Sequence, residues 1–154
     1  MGAIEQRLAE LGIELPEAPA PVAAYVAVVR TGNLVITSGQ LPWQGGKLIH
    51  EGKLGAEVDD QQGYEAARVA AINAIAQLKS AVGDLDNIQR IVRLEGYVHS
   101  APGFRNHPQV LNGASDLLGE VFGEAGQHTR TALGINEMPL DAPVQLVVWA
   151  EVAS

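Results

Sequence analysis

Apolar residues at Ile4, Leu8 and Leu11 fall on one face of a short amphipathic helix at the start of the chain. Pro16, Pro21 and the alanines between them read as a connector. Residues 26–30 and 34–37 are β-rich runs flanking Thr31-Gly32-Asn33, the pattern of a hairpin. Ser38-Gly39-Gln40-Leu41-Pro42 breaks the second run, and 43–55, with four glycines, is expected to be an exposed loop. The period then becomes helical. Asp59 or Asp60 can cap a helix running to about Val82, with an apolar face at Val69, Ile72, Ile75, Ala76, Leu78 and Val82. Its many alanines let the backbone lie close on a sheet, and Gly83 is a natural stop. Residues 88–98 alternate as a long strand, expected to show Ile91, Arg93, Glu95, Tyr97 and His99 on one side. Asn106 with Pro108 just inside signals a second helix. Its buried stripe is Val110, Ala114, Leu117, Leu118 and Val121, and Gly123 or Gly126 ends it. Residues 129–135 and 144–152 are the last strands. In the final one Val144, Leu146, Val148, Ala150 and Val152 face one way, and Gln145, Val147, Trp149 and Glu151 the other.

The order ββ-α-β-α-ββ predicts an α+β layer, with two long helices on one face of a mixed sheet. The chain has 154 residues and is 47% hydrophobic, enough for one domain with a full core over 1–154. Residues 1–20 read as an N-terminal extension. The opposite sheet face carries Val, Trp and Tyr among polar groups. One domain alone would expose that face, so it is expected to meet other subunits.

There is no cysteine, which excludes disulfides, thiolate catalysis and cysteine-ligated zinc. The first twenty residues carry Glu5, Glu10, Glu14 and Glu17 and no long apolar run, so neither a signal peptide nor a membrane span is expected there. The net charge is −8 and the ten basic residues are scattered. An acidic surface repels phosphate backbones, which disfavours nucleic acid as a main partner but leaves room for a local basic pocket. None of the four histidines stands in an H-x-x-H or H-E-x-x-H spacing, and no G-x-G-x-x-G or Walker motif occurs. Metal and nucleotide cofactors are therefore not expected.

The stretch Gly32-Asn33-Leu34-Val35-Ile36-Thr37-Ser38-Gly39-Gln40-Leu41-Pro42 resembles the "G-N-hydrophobic-T-S-G-Q-P" signature of the Rid/YjgF family, the reactive-intermediate deaminases. Tyr25 stands at the family's usual tyrosine and Asn112 at its helix asparagine. Residues 92–104 resemble its third strand and the turn after it. His128-Thr129-Arg130-Thr131-Ala132 resembles the stretch around the essential arginine, and Met138-Pro139 followed by Val144-Gln145-Leu146 is similar to the closing strand. Together, in order from about residue 20 to the end, these motifs are specific. The resemblance implies a chorismate-mutase-like fold, a cytoplasmic homotrimer whose sheets face inward as a barrel, and a cleft between neighbouring subunits. It implies cofactor-free hydrolysis of 2-imino acids, such as 2-iminopropanoate and 2-iminobutanoate, to 2-oxo acids and ammonia. Some members have been called endoribonucleases, translation inhibitors or chaperones.

Arg130 is then the expected anchor for a ligand carboxylate, because a guanidinium offers two parallel donors that match it. Tyr25, Ser38 and Asn112 are expected to line the same cleft. His128, two residues before Arg130, shares its strand face and can donate to an anion or replace a base. Gln145 departs from the pattern: the family's deaminases carry a glutamate there, held to position or activate the attacking water. A carboxamide can orient a water but cannot take its proton. Glu95 and Glu151 are alternative carboxylates, read first as solvated or ion-paired. Three functions therefore compete: an imine deaminase, a binding module that holds a 2-oxo acid without turnover, and an RNA-cleaving enzyme.

Overall fold

The computed structural model describes residues 1–154. Helix α1 spans Ala3–Glu10, and strands β1 (Val28–Thr31) and β2 (Leu34–Thr37) form the expected antiparallel hairpin. A two-stranded ribbon follows, β3 (Trp43–Gln44) with β4 (Lys47–Leu48). Then come α2 (Asp60–Val82), β5 (Ile88–His99), α3 (His107–Phe122), β6 (Thr129–Ile135) and β7 (Val144–Val152). The main sheet has the order β1-β2-β7-β5-β6. Only β5 and β6 run parallel, joined by the α3 crossover, so the sheet is mixed.

Local chemistry sets the helix ends. Asp59 accepts from the Gln62 backbone N–H at 2.8 Å while Gln62 Oε1 accepts from the Asp59 N–H at 3.0 Å, a complete capping box. Gly83 ends α2 with φ +77°, which favours glycine. Asn106 does sit at the start of α3, but its side chain donates to Asp60 at 2.8 Å rather than capping its own helix.

The core lies between the helices and one face of the sheet. All five residues of the predicted α3 stripe are buried, and so is the predicted inner face of β7. On α2 the buried surface is mostly alanine (Ala66, Ala67, Ala70, Ala71, Ala74), joined by Ile75, Ala76 and Leu78. Val69, Ile72 and Val82 stay half-buried at its border. Small residues bring α2 and α3 together, and a Cβ added at Gly113 would overlap the Tyr64 carbonyl oxygen. Outside this seam Tyr64 donates to Asp116 at 2.7 Å and Arg68 pairs with Glu120 at 3.2 Å.

Two expectations need correction. Residues 43–55 are not simply an exposed loop. They hold the β3–β4 ribbon, and Leu54 is fully buried, its N–H donating to His99 O at 2.8 Å. One inward residue among glycines leaves no periodicity to read. Ile91 does not share a face with Arg93. Register shifts in the β5–β7 pairing, between Ile88 and Arg90 and between Ile91 and Arg93, turn Ile91 into the core with Leu94. Each extra residue in a strand reverses the side chains that follow. His99 keeps the face of Arg93, Glu95 and Tyr97 but is buried there, its ring covered on the side of Glu137 and Asp141.

Two buried amides fasten the segment that carries the signature motif. Asn73 on α2 donates to the carbonyls of Leu41 and Trp43, both at 2.9 Å. Gln77 donates to Pro19 O at 2.6 Å. Buried amides left unpaired would cost about 1–3 kcal/mol each, so these contacts fix the path of 19–43 over α2.

Candidate functional site

The predicted site residues form two groups. The first lies where β2 runs into β7. Ser38 donates its hydroxyl to Val26 O at 2.6 Å, and its own N–H bonds Ala27 O at 2.8 Å, so it ties the segment leading into β1 to the end of β2. Tyr25 is 46% exposed and lines a small cleft with Pro21, Val22, Gly39, Leu41 and Trp43. Gln145 lies across Gly39, and a Cβ at position 39 would collide with its carboxamide. Glycine is thus required there for the Gln145 side chain to lie flat beside the signature turn.

The second group lies between β6 and α3. Arg130 donates from Nη1 to Asn112 Oδ1 at 2.8 Å and to Ser115 Oγ at 3.1 Å. Ser115 in turn is 2.9 Å from His128 Nε2, and His128 Nδ1 is 2.7 Å from Gly126 O. Arg7, Arg68 and Arg93 pair with carboxylates. Arg130 is instead held by neutral oxygens, so its positive charge is fixed in place without being neutralised. That is the electrostatic condition for receiving an anion.

Both ring nitrogens of His128 are occupied, so His128 reaches Arg130 through Ser115 rather than presenting a free donor. Sequence reading missed Ser115. Its signal was the i, i+3 spacing from Asn112, which puts both side chains on one face of α3.

Arg130 and Gln145 do not meet within one chain. Arg130 projects to the helix side of edge strand β6, whereas Gln145 pairs with Tyr97 and shares its open sheet face. In the strand order, β7 and β6 are two spacings apart, roughly 10 Å, with β5 between them. On that open face Arg93 contacts Glu95 at 3.5 Å and donates to the Thr131 hydroxyl, and Tyr97 donates to Glu95 at 3.2 Å. Burial, and then the Glu95 charge, raise the Tyr97 pKa above the ordinary phenol value. Glu95 is therefore engaged in an ion pair, and Glu151 is exposed near the end of β7.

A groove of about 850 Å³ lies elsewhere, between residues 11–22 and α2. It holds none of the predicted site residues. Its charged lining is Glu14, Glu17, Glu65 and an Arg68 already paired with Glu120, which suits an anion poorly. No group of three or more His, Asp or Glu side chains stands close enough to hold a metal ion.

A mixed sheet backed by two helices, with an arginine on the edge strand and the S-G-Q turn beside the final strand, defines a YjgF-type protein. The family model described as "YjgF/chorismate mutase-like, putative endoribonuclease" matches residues 5–152, and the chain belongs to that family. Among curated proteins it is similar to Protein TCP17 of Trypanosoma cruzi, at 40% identity over 97% of this chain and 94% of that one. Among solved structures it is similar to a "putative endoribonuclease" from Shewanella oneidensis, at 44% identity with a TM-score of 0.95, covering 98% of this chain and 100% of that one. It is also similar to the protein Atu1372 of Agrobacterium tumefaciens, at 42% identity with a TM-score of 0.91, covering 97% and 92%.

Proposed function

We propose that this protein hydrolyses 2-imino or enamine acids to 2-oxo acids and ammonia, without a cofactor, in a cleft between subunits of a cytoplasmic homotrimer. The observation that carries this reading is Arg130, held by Asn112 and Ser115 with its charge uncompensated. A ligand carboxylate seated on that guanidinium is fixed, which places the adjacent imine carbon for attack. Water adds to the C=N carbon to give a carbinolamine. The nitrogen takes up a proton and leaves as ammonia, and the carbonyl forms. Gln145 can orient the water through its carboxamide oxygen.

The separation of the two groups of residues supports the assembly. Tyr25 and Ser38 lie by the β1–β2 edge and Gln145 on the open face of the central strand, whereas Arg130 lies on the helix side of the opposite edge strand, so a neighbour is needed to bring such halves together. The open sheet face supports it as well. Val29 and Leu133 on that face are 48% and 52% exposed. Closed symmetry covers such a face most economically.

The second reading is a binding module that holds small carboxylates without turnover, and Gln145 favours it. Loss of a general base typically costs ~10²–10⁴-fold in rate while leaving binding intact. RNA cleavage, the activity in the family's description, is opposed by the net charge of −8. The test feeds imines generated in situ to the wild type and to Arg130→Ala, with pyruvate calorimetry and sedimentation equilibrium alongside. The deaminase reading expects imine loss above the mutant's, pyruvate binding that the mutant lacks, and a trimer. Pyruvate binding without turnover selects the binding module. A stable monomer at micromolar concentration would sink the shared cleft.

A further inference from the structure

The hydrogen bonds behind Arg130 form a chain whose direction is fixed from both ends. A backbone carbonyl only accepts, so His128 Nδ1, 2.7 Å from Gly126 O, carries a hydrogen. In the neutral ring Nε2 is then a bare lone pair. At the other end a guanidinium only donates, so Ser115 Oγ accepts from Arg130 Nη1 at 3.1 Å. The single hydroxyl hydrogen of Ser115 is left for His128 Nε2, 2.9 Å away. Every link has one donor and one acceptor.

The arrangement also decides which edge of Arg130 meets a ligand. Nη1 has two hydrogens, and both are used, one on Asn112 Oδ1 at 2.8 Å and one on Ser115 Oγ. The donors left are Nε–H and the two on Nη2. Nε and Nη2 form one side of the planar fork and match the two oxygens of a carboxylate.

We propose that Ser115 and His128 are positioning residues for the Arg130 anchor, and that the ligand carboxylate lies across the Nε–Nη2 edge. This rests on the carboxylate-binding reading above and specifies the geometry of that site. His128, set by the Gly126 carbonyl, turns the Ser115 hydroxyl hydrogen away from Arg130. The serine lone pairs then stop the guanidinium from rotating about its Nη1 end. Without them Asn112 alone holds Nη1, and the fork no longer keeps one edge toward the cleft.

The experiment combines nitrogen-15 NMR of the full chain with pyruvate calorimetry on the wild type, Ser115→Ala, Ser115→Thr, His128→Phe and Arg130→Ala. The following results are expected of the wild type and its variants. His128 carries its hydrogen on Nδ1, and Arg130 gives separate, slowly averaging Nη signals. Those signals collapse in Ser115→Ala and His128→Phe, with the melting temperature unchanged. Pyruvate affinity falls on the order of tenfold in Ser115→Ala, the scale of one hydrogen bond to a charged group, and is rescued in Ser115→Thr, which keeps the hydroxyl. A purely structural serine would change melting and not the guanidinium signals. The inference is overturned by an Nε2–H tautomer, by averaged Arg130 signals in the wild type, or by unchanged affinity in Ser115→Ala while Arg130→Ala abolishes binding. If Ser115→Ala does not fold, His128→Phe supplies the same readings. If the wild type binds no pyruvate, the carboxylate reading itself fails. The carboxylate placement then falls with it, and the tautomer and guanidinium signals decide the positioning role of Ser115 and His128, resolved signals upholding that role and averaged ones overturning it.

Discussion

Replacing Asn112 by aspartate changes one atom's worth of shape and a full charge, at 2.8 Å from Arg130 Nη1. The new carboxylate accepts the same hydrogen bond, so the guanidinium stays where it is. It also neutralises the charge that a ligand would meet. A bound carboxylate on the far side of the guanidinium would sit roughly 6 Å from the new one. At an effective dielectric near 40 the repulsion is about 1.4 kcal/mol, and near 20 it doubles. Asn112 is on the exposed side of α3, so the real value lies between these and the fully aqueous limit. Between about 0.7 kcal/mol in water and about 1.4 kcal/mol at the intermediate dielectric, pyruvate affinity should therefore fall by ~3- to 10-fold, since each 1.4 kcal/mol is a factor of ten. The fold should gain no more than ~1 kcal/mol, as exposed ion pairs do. Asn112→Ala removes the acceptor without adding a charge, so its loss of affinity should be smaller. Calorimetry at two salt concentrations checks the ordering wild type, alanine, aspartate, and the aspartate deficit should shrink as salt screens it. If the aspartate variant binds as tightly as the alanine variant, or more tightly, Arg130 does not carry the ligand charge and the site has been placed wrongly.

Two other outcomes follow from the same geometry. Gln145→Glu keeps the shape of the side chain over Gly39 and adds proton acceptance, so imine hydrolysis should rise with little change in pyruvate affinity. A wild type as fast as its variant would remove Gln145 from the account of catalysis. The hydrogen bond to Asp116, with burial adding to it, raises the Tyr64 pKa above the phenol value. The native state thus keeps that proton longer than the unfolded chain does. Its contribution is full below pH ~10 and is lost as pH rises through the native value. Tyr64→Phe should cost about 1 kcal/mol at neutral pH, with the difference from wild type closing under alkaline denaturation. A gap that widens with alkalinity would refute this.

The elements of this fold were legible in the chain because each carries its own period. The α3 stripe and the alternation of β7 needed no partner to be read, since burial of one face is written into the residues themselves. The capping aspartate of α2 and the glycine after Val82 were equally local signals. Arg130, Asn112, Ser38 and Gln145 were found by their place in the signature motifs and not by pattern. What the chain could not show was contact between distant segments. The bulges of β5 reverse Ile91 because its strand must stay in register with β7, and nothing within 88–98 records that partner. Leu54 is buried only because His99 and Ala101 bond its backbone from another part of the chain. The surroundings of Arg130 were hidden for the same reason. Ser115 reaches it from α3, and Gly126 fixes His128 only once the turn after α3 has folded back. The separation of Arg130 from Gln145 is a property of strand order, set by the parallel α3 crossover that puts β6 at the far edge. Residue types and periods are fixed along the chain, whereas hydrogen-bond direction and charge compensation exist only where two segments meet.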